Sequence, residues 1–245
     1  MSQYWTAQQV LKQAAGELGL PVPGDVASTT DVQSVQLLSL LNSAGNELML
    51  YYPWEQFIKE WVFDTVVGQG DYPLPDDCNY FTDQTQWDRT DHWPLLGPKS
   101  AQEWAWLKGA LVAALPRLRY RIADNKLKIW PVPTSTGSPS IYNLAMEYIS
   151  RYWIYQAPAN IYTDMITQNG DTLLYDPWLL VKFVKFKFYE LKGFQTTGVN
   201  ADFMRVFNAL TGKDTGAKIL SLSPKVTSQY LGPWSVPDGS WNVYG

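Results

Sequence analysis

Cysteine and histidine are all but missing from this chain: Cys78 and His92 are the only examples in 245 residues. A single thiol excludes an intrachain disulfide framework and any cysteine-built zinc site within one copy, and it suits a reducing compartment. A single imidazole leaves no second histidine to complete a metal site. No Ser or Cys stands in a nucleophile-elbow sequence, so hydrolase chemistry of that kind is not signalled. The glycines form neither a G-x-G-x-x-G after a strand nor a G-x-x-x-x-G-K-[ST], which removes the two common phosphate cradles. Positive charge is not in excess either, since 19 Lys and Arg face 23 Asp and Glu for a net charge of −4. That balance gives no basic footprint for gripping a phosphate backbone. No stretch approaches the roughly eighteen apolar residues of a membrane span, and the opening "MSQYWTAQQV" has neither a basic nor an apolar leader region. The expectation is a soluble protein with no cofactor, no metal and no membrane partner.

Aromatic residues, by contrast, are plentiful: 12 Trp, 15 Tyr and 9 Phe supply large contact surfaces. Thr6 with Gln9 forms a capping-box pattern ahead of Val10, Leu11, Ala14, Ala15 and Leu18, and Gly19 closes it, which predicts a first helix. Thr30 with Gln33 repeats the box, and Val35, Leu38, Leu41, Ala44 and Leu48 predict a second helix of about twenty residues, stopped at Pro53. From Trp61 the period falls to two, the mark of a strand. Ser100 with Glu103 opens a short helix that Gly109 stops. "RLRYRIAD" and "KLKIWPVP" turn about Asp124 and Asn125 as a hairpin. "IYNLAMEYISRYWIYQ" predicts one long strand with Tyr142, Leu144, Met146 and Tyr148 on one face, and Asn169 and Gly170 mark the turn of a further hairpin. Asp176 and Pro177 open a helix that Gly193 closes, and a last helix runs from Asn200 to Gly212.

No period survives beyond that helix. The final 25 residues hold prolines, glycines and aromatics in a mixture suited to lying extended on another surface. The predicted fold class is α+β: a helical bundle from the N- and C-terminal helices (1–58 and 172–214), an inserted antiparallel β domain (59–171) and an extended C-terminal tail (215–245).

Candidate chemistry concentrates in "LPDDCNYFTDQTQWDRTDHWPLLGP" at 74–98. Asp76, Asp77, Asp83, Asp88 and Asp91 could include a carboxylate pair for glycoside hydrolysis or ligands for calcium. Their spacing departs from the calcium-loop pattern, and aspartate after Leu-Pro is ordinary turn chemistry. His92 beside Asp91 is a formal general base, but without a nucleophile the plainer reading is a hydrogen-bonded loop histidine. Cys78 reads as a small, partly buried residue. Asp88 and Arg89 after Trp87 would form a local salt bridge over the indole that holds the loop's shape. In "VKFVKFKFYELK", Trp178, Val181, Val184, Phe188 and Leu191 form an apolar stripe, leaving Lys182, Lys185 and Lys192 on a solvated or partner-facing side. Nucleic-acid binding by those lysines is a further reading.

Several segments, in order, resemble a known family: "DYPLPDD" at 71–77, "TQWDRTDHWPLLGPKSAQEWAWLKG" at 85–109, "RYRIADNKLKIWPVP", "MEYISRYW" and "DTLLYDPWLLVKFVKFKFYELKG". Over roughly residues 30–193 the chain resembles the head-to-tail adaptor (tail tubular protein A-like) proteins of tailed bacteriophages. The resemblance implies a structural virion protein and not an enzyme. It implies a ring, commonly of about twelve subunits, beneath the portal protein. This ring would receive the tail nozzle or tube and pass DNA through its channel without specific binding. It would be assembled in the host cytoplasm and sit at the head-to-tail interface during genome ejection. An acidic lumen would let phosphate slide past. Candidate portal-binding residues in the C-terminal tail are Tyr230, Trp234, Trp241 and Tyr244, as buried aromatics dominate interfaces. Candidates for binding the nozzle or a neighbouring subunit are Trp87, Asp88, Arg89 and Trp93. The alternative is a carbohydrate-binding or glycan-cleaving phage tail protein, suggested by the tryptophans and the aspartate-rich loop.

Overall fold

In the computed structural model, which describes residues 4–21, 24–25, 31–109, 117–136, 139–157 and 159–214, the first helix, α1 (Ala7–Leu18), carries the predicted box. Thr6 Oγ1 accepts from Gln9 N at 3.3 Å, and Gln9 Oε1 accepts from Thr6 N at 2.9 Å. Gly19 ends α1 in the left-handed region at φ 68°. The cap of α2 (Val32–Tyr51) is Asp31, one residue beyond the expected Thr30, which lies outside the described residues. The Asp31 carboxylate accepts from Ser34 N at 2.9 Å and Ser34 Oγ at 2.8 Å, and its negative charge suits the positive end of a helix. Tyr52 is extended, at φ −154° and ψ 138°, as a residue preceding proline must be.

The period of two then takes over. The elements are β1 (Ile58–Asp64), β2 (Asp71–Pro73), β3 (Cys78–Phe81), β4 (Trp87–Asp88), β5 (Trp93–Pro94), α3 (Ala101–Gly109), β6 (Arg119–Ala123), β7 (Lys126–Trp130) and β8 (Asn143–Ser150). One sheet has the order β1-β8-β4-β5, with β3 also on β8, and another has the order β2-β7-β6. The β6–β7 hairpin turns at Asp124 (φ 60°) and Asn125 (φ 52°), residues that tolerate the left-handed region. Leu96 joins the two sheets, donating to Leu118 O at 3.0 Å and accepting from Tyr120 N at 3.1 Å. Their shared core holds Tyr72, Leu118, Tyr120, Leu127, Ile129, Leu144 and Met146, with Trp61 stacked on Phe63 at 4.3 Å along its margin. The Ser100–Glu103 box caps α3 as predicted, with bonds of 3.0 and 3.2 Å.

The predicted long strand at 141–156 is two strands, and this corrects the sequence expectation. β8 ends at Ser150, whose Oγ accepts from Tyr152 N at 3.2 Å, and the chain turns before β9 (Ile154–Gln156). The break delivers Trp153, fully buried, to the core of the terminal helices. β10 (Ile161–Thr163) and β11 (Thr172–Leu173) both pair antiparallel with β9, not with each other. The turn chemistry at Asn169 and Gly170 set a reversal but could not say which strand would be the partner. Asp176 caps α4 (Pro177–Lys192) by accepting from Trp178 N at 2.9 Å, and Gly193 (φ 70°) closes it. α5 (Thr197–Asp214) starts before Asn200 and continues through Gly212. A helical glycine costs only about 1 kcal/mol. Here Tyr52 Oη, donating to Thr211 O at 3.4 Å, and Asp214, accepting from Glu55 N at 3.0 Å, hold the last turn.

The fold is thus α+β, with five α-helices among the described residues and the β region between the N- and C-terminal helices. Of the described residues, those up to Ile58 and from Ile149 onward form one compact unit, and Lys59–Tyr148 form a second. In the first unit α4 packs on α1, α2 and α5. Its buried arc, including Leu179, Leu180, Val181, Phe183, Val184 and Phe188, is therefore wider than the predicted stripe. Trp178 and Leu191, expected in that stripe, are 46% and 55% exposed. The predicted C-terminal tail, with Tyr230, Trp234, Trp241 and Tyr244, lies outside the described residues.

Two glycines give opposite predictions. A β-carbon built on Gly45 would stand inside the indole ring of Trp153, whereas Gly16 has open space around it. Gly45→Ala is expected to destabilise by about 1–3 kcal/mol or more through overpacking. Gly16→Ala should stabilise by about 0.5–1 kcal/mol through helix propensity. Urea midpoints of the two variants check both signs.

Candidate functional site

Trp87 and Asp88 of β4 lie opposite Pro94 and Trp93 of β5, and β4 also pairs with Ala145 and Leu144 of β8. Residues 89–92 are therefore the loop of a tight hairpin. Asp88 is buried, and its Oδ1 accepts from Thr90 N at 2.9 Å and Asp91 N at 3.4 Å, closing the loop as an Asx turn. Asn143 on β8 braces the other side. Its carbonyl accepts from Arg89 N at 2.8 Å, its own N–H donates to Thr90 Oγ1 at 2.7 Å, and its Nδ2 donates to Asp64 Oδ1 at 2.7 Å. His92 takes φ 58° at the exposed end of the loop.

The expected Asp88–Arg89 bridge over Trp87 does not form. Successive side chains along a strand point to opposite faces, so Asp88 turns in and Arg89 turns out, where it pairs with Glu60. The cation resting on an indole is Arg117, 4.3 Å from the ring centre of Trp93. Trp93 is thus not a bare platform for a sugar ring. Glu60, Thr90, Arg117 and Asn143 are the residues the sequence did not mark. Apart from Thr90, which lies in the loop itself, they come from elsewhere in the chain, and no local spacing announces such partners.

Of the remaining acidic groups of 74–98, Asp77 is held structurally. Asp77 accepts from Lys59 Nζ at 2.6 Å and from Tyr148 Oη at 2.8 Å, while Asp76 and Asp83 are exposed. Burial, assisted by Asp77, pushes the Cys78 thiol up to about 11, which keeps it protonated and poorly nucleophilic at neutral pH. Burial likewise holds the Asp88 and Asp91 carboxyls above the usual range. Among the described residues no group of three or more His, Cys, Asp or Glu converges as a metal site. What the arrangement offers is a braced hairpin tip that exposes Arg89, Thr90 and His92 beside two half-buried tryptophans.

Of the lysines expected on a solvated or partner-facing side, Lys192 is exposed as expected, whereas Lys182 and Lys185 are internal ties. Lys182 and Lys185 reach the Glu17 carboxylate of α1 at 2.8 and 3.2 Å, and Lys187 pairs with Glu47 of α2. Burial opposes ionisation of Glu17, but the two lysines outweigh it and hold its carboxyl below the ordinary value. Cations held against carboxylates of the same unit are less available to a phosphate backbone. Among the described residues no helix is long and apolar enough to cross a membrane.

The two shifts have opposite pH signatures. Asp88 is raised, so its ionised form weakens the fold. Wild type should lose stability relative to Asp88→Asn as pH rises through the raised value, with the gap closing below about pH 4. Asp88→Ala, which removes the acceptor altogether, should cost about 1 kcal/mol. Glu17 is lowered, so its contribution is present above the ordinary carboxylate pKa and disappears as pH falls through the folded value. Glu17→Gln should remove that acid-sensitive part. Urea titrations across a pH series check all three variants.

The family model described as SU10 adaptor protein matches residues 5–227. No curated protein matches the chain. The family match extends well beyond the segments that carry the sequence resemblance, taking in α1 at one end and all of α5 at the other. The chain therefore belongs to the SU10 adaptor protein family of phage head-to-tail adaptors.

Proposed function

We propose that the protein is a structural component of the virion that assembles as a ring, of about twelve copies on the family resemblance, between the portal and the tail nozzle or tube. The family match over residues 5–227 carries this reading. In it, the terminal helices (1–58 and 172–214) form the body of the ring and the β region presents the hairpin of Trp87, Asp88, Arg89 and Trp93 to the nozzle or a neighbouring subunit. The bracing of that hairpin by Asp88 and Asn143 supports such a role, because a loop ordered before binding loses less entropy on docking. Residues 215–245 reach the portal, with Tyr230, Trp234, Trp241 and Tyr244 as anchors. DNA passes through the channel unbound, in keeping with a net charge of −4 per copy and with the pairing of Lys182, Lys185 and Lys187 inside the fold.

Truncation after Asp214 is expected to abolish capture by purified portal while leaving the far-ultraviolet circular dichroism and the thermal midpoint near those of the full chain. Undiminished capture would remove the portal role from the C-terminal tail. Arg89→Ala should leave portal capture intact and weaken recruitment of the nozzle, measured by co-sedimentation.

A further inference from the structure

Of the ten asparagines only Asn169 is followed by glycine. Asn169 and Gly170 form the apex of a tight turn that is closed by Asp171 N donating to Gln168 O at 3.2 Å. The buried Asp171 carboxylate fixes the chain leading into it, with Oδ2 accepting from Thr167 N at 2.8 Å and Gln168 N at 2.9 Å. Gly170 is exposed, its N–H makes no hydrogen bond among the described residues, and a β-carbon built on it would meet nothing within 4 Å. The side-chain amide of Asn169 is held, Nδ2 donating to Oδ1 of the exposed Asp25 at 2.8 Å.

This turn also supports the start of α1. Asp171 O accepts from Ala7 N at 2.8 Å, Asn169 O accepts from Gln8 N at 3.3 Å, and Trp5 O accepts from Leu173 N at 2.9 Å. The first two of these bonds occupy N–H groups of the first helical turn, which have no partner within the helix itself. A change of main-chain path at residue 169 therefore acts on the N-terminus of α1.

We infer that Asn169 is a site of spontaneous deamidation, and that the Asp25 carboxylate restrains it. Gly170 N gives its proton to hydroxide and attacks Asn169 Cγ. The Cγ–Nδ2 bond breaks, and Nδ2 leaves as ammonia with a proton taken from water, which regenerates the hydroxide. Water then opens the resulting five-membered succinimide at either carbonyl, giving aspartate or isoaspartate, so that one water is taken up and one ammonia lost. Glycine favours the attack because no β-carbon shields its nitrogen, and the open space around Gly170 leaves room for the ring. Held on Asp25, the amide must first be released before Cγ can swing to Gly170 N. Aspartate sets a second carboxylate against that of Asp25, where like charges repel. Isoaspartate adds one atom to the main chain between 169 and 170 and turns the carbonyl that accepts from Gln8 into a free carboxylate. The Gln168–Asp171 closure and the Ala7–Asp171 bond then lose their register. This chemistry is independent of the ring proposed above.

The test is ageing of the full chain in mildly alkaline buffer, followed by peptide mapping with mass spectrometry that separates aspartate from isoaspartate. Asn169 should convert, and faster as pH rises, because the attacking species is the deprotonated amide. Asn125 and Asn160 are more exposed but are followed by Lys126 and Ile161, and should stay intact. Gly170→Ala should stop the conversion. Open space and a φ outside the left-handed region let alanine fold there, which thermal melts check. Asp25→Ala should speed the conversion about 2–10-fold, the rate equivalent of one ordinary hydrogen bond. On ageing, the thermal midpoint of wild type should fall by about 2–4 °C, the shift that loss of one hydrogen bond produces in a chain of this size, while that of Gly170→Ala should hold. No conversion at Asn169, or equal conversion at Asn125 and Asn160, overturns the site. Undiminished conversion in Gly170→Ala overturns the attack by its nitrogen. A rate unmoved or lowered by Asp25→Ala overturns the restraint, and a midpoint that holds despite full conversion overturns the link to α1.

Discussion

The seat of the Trp153 indole on Gly45 is the contact from which the helical unit is organised. Only a residue without a side chain lets an indole lie this close to the α2 backbone. Asn46, the next residue, accepts the indole N–H, so the polar edge of the largest buried side chain is satisfied at the same point. Tyr175 joins from the other side, donating to Gly45 O at 3.2 Å and packing edge-on against Trp54 and Phe57. Because Tyr175 directly precedes the Asp176 cap, fixing its ring fixes where α4 begins. α4 then sets the places of α1, α2 and α5, first by apolar packing and then by Lys182, Lys185 and Lys187 reaching Glu17 and Glu47.

Charge in this protein serves mainly to hold the fold. The lysine-rich helix invited a nucleic-acid reading, yet Lys182, Lys185 and Lys187 are held by carboxylates within the same unit. The aspartate-rich stretch invited a catalytic reading, yet Asp77 answers Lys59 and Tyr148 while Asp88 closes a turn. What remains exposed there is shape: a braced hairpin. That is the surface expected of a part that is held by its neighbours. It also agrees with membership of an adaptor family better than with turnover of a substrate.

The legibility of these features depended on range. Interactions confined to a few residues could be read along the chain: the Thr6–Gln9 and Ser100–Glu103 boxes, the Asp176 cap with Pro177, the glycine stops at Gly19 and Gly193, and the Asp124–Asn125 turn all formed as their spacing predicted. The α+β class and the order of helix, sheet and helix followed from the change of period. The hairpin loop was legible as a structural feature, but its braces were not. Asn143 and Arg117 carry no local sign that they will meet Thr90 and Trp93.

Taken alone, then, the sequence determined where most helices start and which stretches alternate. These properties rest on hydrogen bonds and sterics within one or two turns of chain. Tertiary structure decided that β8 would break at Ser150 so that Trp153 could reach Gly45, more than a hundred residues earlier. It decided that β9 would sit between β10 and β11, and that Lys182, Lys185 and Lys187 would turn to Glu17 and Glu47. Each of those outcomes is a choice among distant partners, made by burial and by the requirement that a buried polar group find its bond.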